Sequence, residues 1–178
     1  TVVEAGAAEI AARVRSGELD AGFIPGSNVS PDLETFILGD YLVSCAVAKT
    51  SPLAQRKSLD WETILDQPLI LFPSRYHQRS IVDVAVTRLG KPPRIIIEAE
   101  SWSLQIKLVE AGCGVSIFFT EIVEANEGVV AVPLEDKATI PVSICRNNNG
   151  SRSMASDGFF QSVLDDTRFA SRTPTAAP

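Results

Sequence analysis

The sequence predicts an α/β fold built as two related lobes. Two observations carry that prediction. The first is the joint Ser16-Gly17-Glu18-Leu19-Asp20-Ala21-Gly22-Phe23-Ile24. Before it, Ala7, Ile10 and Val14 recur at helical spacing. Gly17 is placed to end that helix, because glycine takes a left-handed cap without steric penalty. After it, Ala21, Phe23 and Ile24 form a short apolar run closed by Pro25-Gly26. The second observation is the same step repeated: Leu104, Leu108 and Ala111 lead into Gly112-Cys113-Gly114 and then Val115-Ser116-Ile117-Phe118. Strands that alternate with helices imply a largely parallel sheet.

Taken in order, Val2-Val3 reads as the end of a strand whose start is missing. A helix over 7–16 and a strand over 21–24 follow. Leu33 to Ala48 is rich in strand formers, with Gly39-Asp40 as an expected bend, Tyr41 to Val47 as a buried strand and Ser51-Pro52 as its breaker. Asp60 or Ser58 caps a short helix through Trp61 to Leu65. Leu69-Ile70-Leu71-Phe72 is a compact strand ended by Pro73. The next helix places Ile81, Val84, Ala85 and Leu89 on one face and stops at Gly90-Lys91-Pro92-Pro93. A strand over 94–98, a helix over 103–111 and strands over 115–118, 129–134 and 142–145 come next. Asn147 to Ser151 is a loop, and the last helix uses Phe159, Phe160, Val163 and Leu164. The polar tail from Ser171 to Pro178 reads as disordered.

The composition supports a packed core: 45% of residues are apolar and 21% charged. No apolar run reaches the length that spans a bilayer. The net charge of −6, from 22 acids and 16 bases, argues against this segment gripping a nucleic acid backbone. Cys45, Cys113 and Cys145 lie in apolar surroundings without C-x-x-C spacing, so they read as free, buried thiols in a reduced, cytoplasmic setting. Asn28-Val29-Ser30 and Asn149-Gly150-Ser151 are glycosylation sequons without meaning in that setting. The first residue is Thr, and no signal peptide is visible, so the segment reads as cut from a longer chain.

Three stretches together resemble a known family. Gly17-Glu18-Leu19-Asp20-Ala21-Gly22-Phe23, Lys49-Thr50-Ser51-Pro52-Leu53 and Glu110-Ala111-Gly112-Cys113-Gly114-Val115-Ser116 occur in the order and spacing of LysR-type transcriptional regulators. Leu69 to Pro73 fits as well. The resemblance is to the C-terminal effector-binding domain and runs to about Arg168. It implies a fold like that of the type II periplasmic-binding proteins: two Rossmann-like lobes joined by two crossing strands, with a small molecule between them. The crossings would fall near 47–52 and 130–134, with lobe one at 1–48 plus 134–178 and lobe two at 49–133. The first strand and helix of lobe one would be missing. So would the N-terminal helix-turn-helix through which the family binds DNA.

Candidate chemistry concentrates in Ser74-Arg75-Tyr76-His77-Gln78-Arg79-Ser80, which follows a buried strand and opens a helix. Such a helix start offers unpaired N–H groups, and Arg75, Arg79 and the only histidine, His77, add positive charge. The cluster reads either as an anion cradle or as a solvated basic turn. The resemblance favours the cradle, because the loop after this strand lines the cleft in relatives. Ser101 is a good N-cap for the next helix, and Trp102 beside it is either a pocket wall or core. From lobe one, Ala7 and Pro25 match the family's cleft positions, although relatives often carry a hydroxyl near Ala7. Phe119 stands where relatives often have Pro.

Catalytic arrangements are poor. One histidine cannot furnish a convincing metal site, no Gly-x-Ser-x-Gly elbow or phosphate loop is present, and Ser74 to Ser80 lacks the reactive cysteines of redox-sensing relatives. Thr167-Arg168-Phe169 matches a tripeptide of prephenate dehydratases, without supporting context. Cys113, between two glycines, is expected to be buried rather than reactive. The expected function is therefore effector sensing, without catalysis, cofactor, metal or membrane. A small carboxylate or other anion would be gripped by Arg75 and the backbone of Ser74 to His77. Ser101 would donate a hydrogen bond, and Trp102 with Pro25 would enclose the rest. The resemblance further implies a homodimer through lobe one and homotetramers of the full-length chain. The rival readings are an extracytoplasmic solute-binding protein of a transporter and a small two-lobed dehydratase-like enzyme.

Overall fold

Both predicted helix-to-strand joints are built the same way. The computed structural model, which describes residues 1–26, 30–148 and 153–166, has a helix α1 over Ala7–Arg15 and another, α4, over Trp102–Glu110. Past α1, the Gly17 N–H donates to the Val14 carbonyl at 3.1 Å and the Glu18 N–H to Arg13 at 3.0 Å. Past α4, the Gly112 N–H donates to Val109 at 2.8 Å and the Cys113 N–H to Leu108 at 3.0 Å. This pair of bonds is the Schellman closure, which needs a left-handed residue after the cap. Gly17 and Gly112 supply it with φ of 78° and 76°.

A glycine five residues into the first joint and another two into the second serve a different need, close approach. A β-carbon on Gly22 would strike Ile10 of α1, and one on Gly114 would strike the carbonyl of Pro68. The strand after each turn can therefore press directly on its neighbour.

The elements in chain order are α1, β1 (Gly22–Pro25), β2 (Leu33–Ala48), a 3-10 turn over Pro52–Gln55, α2 (Trp61–Leu65), β3 (Leu69–Leu71), α3 (His77–Leu89) and β4 (Ile95–Glu98). They continue with α4, β5 (Ser116–Phe119), α5 (Thr120–Glu124), β6 (Val129–Pro133), β7 (Thr139–Asn147) and α6 (Met154–Leu164). The chain forms two compact units, Thr1–Tyr41 with Ile140–Pro178, and Leu42–Thr139. The boundaries of the two units thus lie outward of the expected 48/49 and 133/134. The reason is pairing: Val43 to Ala48 of β2 are hydrogen-bonded to β5 and β6, which holds those residues in the second unit.

In the first unit, β7 lies between β1 and β2. Its core gathers Ile10, Ala11, Val14, Ile24, Leu33 and Cys145, and a second cluster joins Leu38 and Ile144 to Phe160 and Val163 of α6. In the second unit, β3 pairs in parallel with β4, and Leu69 bridges in parallel to Val115 at the start of β5. Its core holds Ala46, Ile70, Phe72, Ile106, Val109, Phe118, Val123 and Val129.

Four features depart from the sequence reading. The sheets are less parallel than expected, since β1–β7, β2–β5 and β2–β6 are all antiparallel. Long strands that carry the chain out of one unit and back run against their neighbours, and only the helix-connected strands β3, β4 and β5 run together. Gly39 does not interrupt β2, which is continuous over its 16 residues. The buried face of α3 is Val82 and Ala85, whereas Val84 is 65% exposed and Leu89 lies at the surface. Apolar residues at 81, 84, 85 and 89 fit a helical stripe, but the core takes the neighbouring one. Finally, α5 went unrecognised: like α2 it has only five residues, but it starts at Phe119 without a side-chain cap to mark it.

Cys45 and Cys145 are buried, but Cys113 is exposed, contrary to expectation. It sits on the closing turn of α4, where the chain must reach the surface to reverse. Burial pushes the Cys45 thiol up to about 12. The two sequons, the Thr167-Arg168-Phe169 tripeptide and the Ser171–Pro178 tail fall wholly or partly outside the described residues.

Candidate functional site

Parallel pairing gathers most of the predicted residues at one edge. Because β3, β4 and β5 run in the same direction, their C-terminal ends lie side by side, with Leu71 in register with Glu98. The connections leaving those ends are 72–76, 99–101 and the short step from Phe119 into α5. Ligands of α/β sheets bind outside the carboxyl ends of such strands. The site's residues come from these connections.

The β3–α3 connection is anchored by aromatic packing. Phe72 is buried, meets Phe118 edge-on at 5.7 Å between ring centroids, and stacks on Tyr76 at 5.1 Å. The Arg75 guanidinium lies over the Tyr76 ring, 5.3 Å from its centroid. Arg75 also pairs with Glu100 from the β4–α4 connection, and the Tyr76 hydroxyl donates to the other oxygen of Glu100 at 3.3 Å. The hydrogen bond to Glu100 raises the pKa of Arg75, and the same bond holds the Glu100 carboxyl below its ordinary range. Burial, reinforced by the Glu100 charge, moves the Tyr76 phenol upward.

Arg79 has a different role from the one its sequence position suggested. Its side chain is only 13% exposed, and its guanidinium is held by Asp83 at 2.8 Å, by Glu98 and by the Phe72 carbonyl at 3.3 Å. Burial works to lower its pKa, and the bonds to Asp83 and Glu98 reverse this, so the net shift is upward. A cation engaged by two carboxylates ties α3 to β4 and has little left to offer a ligand. Sequence reasoning missed these acids, yet Glu98-x-Glu100 at the end of a predicted strand was a usable signal. Two carboxylates at period two were waiting for Arg75 of the neighbouring connection and Arg79 of the first turn of α3.

Ser74 and His77 are exposed, His77 being the first residue of α3. That helix begins at Tyr76 without a side-chain cap, whereas in α4 the Ser101 hydroxyl accepts from the Leu104 N–H at 3.3 Å. The predicted capping role of Ser101 is thus seen directly. Trp102 is 40% exposed, so it is not core. Phe119 is half-buried at the end of β5. Ala7 and Pro25 belong to the first unit, half-buried at the start of α1 and at the end of β1.

A separate concavity of about 200 Å³ is bounded by Trp61, Ile81, Val84, Arg88 and Asp136, and none of the predicted residues lines it. Its polar groups are turned on each other: the Trp61 indole donates to Asp136 at 2.7 Å, and Arg88 pairs with the same oxygen at 3.7 Å. Among the described residues, no group of three or more His, Cys, Asp and Glu could hold a metal ion, and no helix is long and apolar enough to cross a membrane. The strand-end cluster can hold a carboxylate by a guanidinium and a phenol, beside the exposed indole of Trp102.

The family model described as the LysR substrate binding domain matches residues 1–168. Over 121 residues, 67% of this chain and 38% of the relative, the sequence is 32% identical to the HTH-type transcriptional regulator cbl of Klebsiella aerogenes. It is 26% identical over 159 residues to the HTH-type regulator YfeR of Shigella flexneri, covering 85% of this chain and 50% of that one. The chain thus spans half or less of these relatives. Among solved structures, the effector binding domain of QuiR in complex with shikimate superimposes with a TM-score of 0.80 at 20% identity, over 95% of this chain and 80% of that one. The effector binding domain of BenM with benzoate does so with 0.76 at 22% identity, over 98% and 81%. The regulatory domain of CcmR from Synechocystis PCC6803, in complex with 2-PG, gives 0.78 at 14% identity, over 97% and 82%.

Proposed function

This chain belongs to the LysR family through its substrate binding domain, and we propose that it senses a small carboxylate or similar anion on behalf of a transcription regulator. The family consists of effector-binding domains of regulators rather than enzymes, which favours this reading over a dehydratase or a transporter's binding protein. DNA contact would come from a helix-turn-helix elsewhere in the full-length protein, acting in the cytoplasm as a homodimer or homotetramer. The anionic character of the effector rests on one observation: the C-terminal edge of β3, β4 and β5 presents Arg75 against an aromatic stack, already holding a carboxylate group. Arg75 would take the effector's charge, with the N–H groups at the uncapped start of α3 near Ser74 to His77 assisting. Trp102 would supply an apolar wall. Ser101 is engaged as the cap of α4, and its hydroxyl also meets Ser103 at 3.0 Å, so any bond to the effector would be shared. Ala7, Pro25 and Phe119 complete the set by family resemblance, and Arg79 is reassigned to holding the edge together.

Binding can change regulation only if the effector prefers one arrangement of the protein over another. The test is thermal unfolding of this chain against a panel of small carboxylates that includes benzoate and shikimate, with Arg75→Ala alongside. A ligand at 100 times its dissociation constant adds about 2.7 kcal/mol to the native state. A stabilisation seen with one compound and lost in Arg75→Ala supports the reading. Stabilisation that survives the substitution removes Arg75 from the site, and stabilisation by no compound of the panel counts against a small carboxylate effector.

A further inference from the structure

We propose that Glu100 is a built-in competitor for the effector's carboxylate, occupying Arg75 in the free protein and setting which ligand charge the site accepts. This deepens the reading above and rests on it for the site itself. Both Glu100 oxygens are met by donors of the β3–α3 connection, one by Arg75 and the other by the Tyr76 hydroxyl at 3.3 Å. The donors are held in place from below. Arg75 lies on Tyr76, Tyr76 stacks on Phe72, and Phe72 is seated against Phe118 in the core. Glu100 projects from the β4–α4 connection with its side chain 61% exposed, and the Arg75 side chain opposite it is 56% exposed.

A pair so open to water is weak, because solvent screens the attraction and both side chains lose freedom to maintain it. Glu100 can therefore leave for solvent when another carboxylate arrives. The second arginine of the cluster cannot be recruited, since Arg79 is 13% exposed and engaged by Asp83 and Glu98. Arg75 is then the cation over which Glu100 and the ligand compete. An uncharged ligand of the same shape has no need to displace Glu100. Removing the Glu100 charge should strengthen carboxylate binding selectively, and the gain should depend on Arg75.

The probes are benzoate and its uncharged amide, benzamide, titrated into this chain while the Tyr76 ring signals are followed by NMR. Glu100→Gln should bind benzoate about two- to fivefold more tightly than the unaltered chain, with benzamide unchanged. Adding Arg75→Gln to Glu100→Gln should abolish that gain. Equal benzoate affinity with and without Glu100, a matching gain for benzamide, a gain that persists without Arg75, or no benzoate response in Glu100→Gln overturns the proposal. If the carboxylate panel stabilises the unaltered chain through Arg75 but Glu100→Gln brings no gain, the competitor alone is wrong. If Glu100→Gln gains benzoate binding while the panel is silent, the effector reading is what fails.

Discussion

At the scale of single residues, glycine and cysteine positions make the sharpest predictions. Gly114 lies where a β-carbon would meet the Pro68 carbonyl, and that carbonyl is fixed by accepting from the Val115 N–H at 2.9 Å. Backbone cannot move aside as a side chain can. Gly114→Ala should therefore cost about 1–3 kcal/mol, as overpacking does. Gly22→Ala meets side-chain methyl groups of Ile10 and Val14 and should cost less. Urea unfolding of the two variants ranks them, and a milder effect at Gly114 contradicts the geometry. The thiols differ as clearly. Cys113 is exposed, whereas Cys45 is buried with its ionisation pushed up to about 12. A maleimide at neutral pH should label one thiol of the native chain, on the tryptic peptide that contains Cys113, and three after unfolding. Early labelling at Cys45 would contradict its burial. The sequence showed three apolar neighbourhoods and could not show that one of them is a surface turn.

At the scale of elements, side-chain caps mark the starts of α2, α4 and α6, and the first two of these were legible. Asp60 caps α2, its carboxylate accepting from the Thr63 N–H at 2.7 Å, as one of the two residues read for that role. That backbone bond is the main reason its pKa lies below the ordinary value. A carboxyl with a depressed folded pKa stabilises the native state above its unfolded pKa, and the contribution fades as pH falls through the folded value. Asp60→Ala should thus cost about 1 kcal/mol at pH 7, and this cost should vanish as the medium is acidified below the usual carboxylate range. Denaturant unfolding at both pH values measures it, and a cost independent of pH means the cap acts otherwise. The register of α3 was less legible. Its sequence offers two adjacent apolar stripes, and only packing selects Val82 with Ala85 over Val84 with Leu89.

At the scale of the whole chain, the two units differ in how their strands are supported. β3 has partners on both sides, and its three residues are all buried. Among the described residues, β1 lies at the end of its sheet and pairs with β7 alone. Amides of 69–71 should therefore outlast those of 22–25 in hydrogen–deuterium exchange, since edge strands open locally before a buried strand does. Equal rates would mean that the chain opens only as one cooperative body.

The sequence by itself determined the alternation of helix and strand, the two glycine-closed joints and the family, because those depend on local conformational preference and on spacing along the chain. It also placed Arg75, Tyr76 and Trp102 at strand ends. Only the tertiary structure decided that Arg79 is a clamp, that Arg75 already holds Glu100, and that β2 runs unbroken from one unit into the other. Charge pairing across 19 to 25 positions depends on which strands lie side by side. That choice is made by packing the core; the Glu98-x-Glu100 spacing marks two carboxylates but not the arginines that face them.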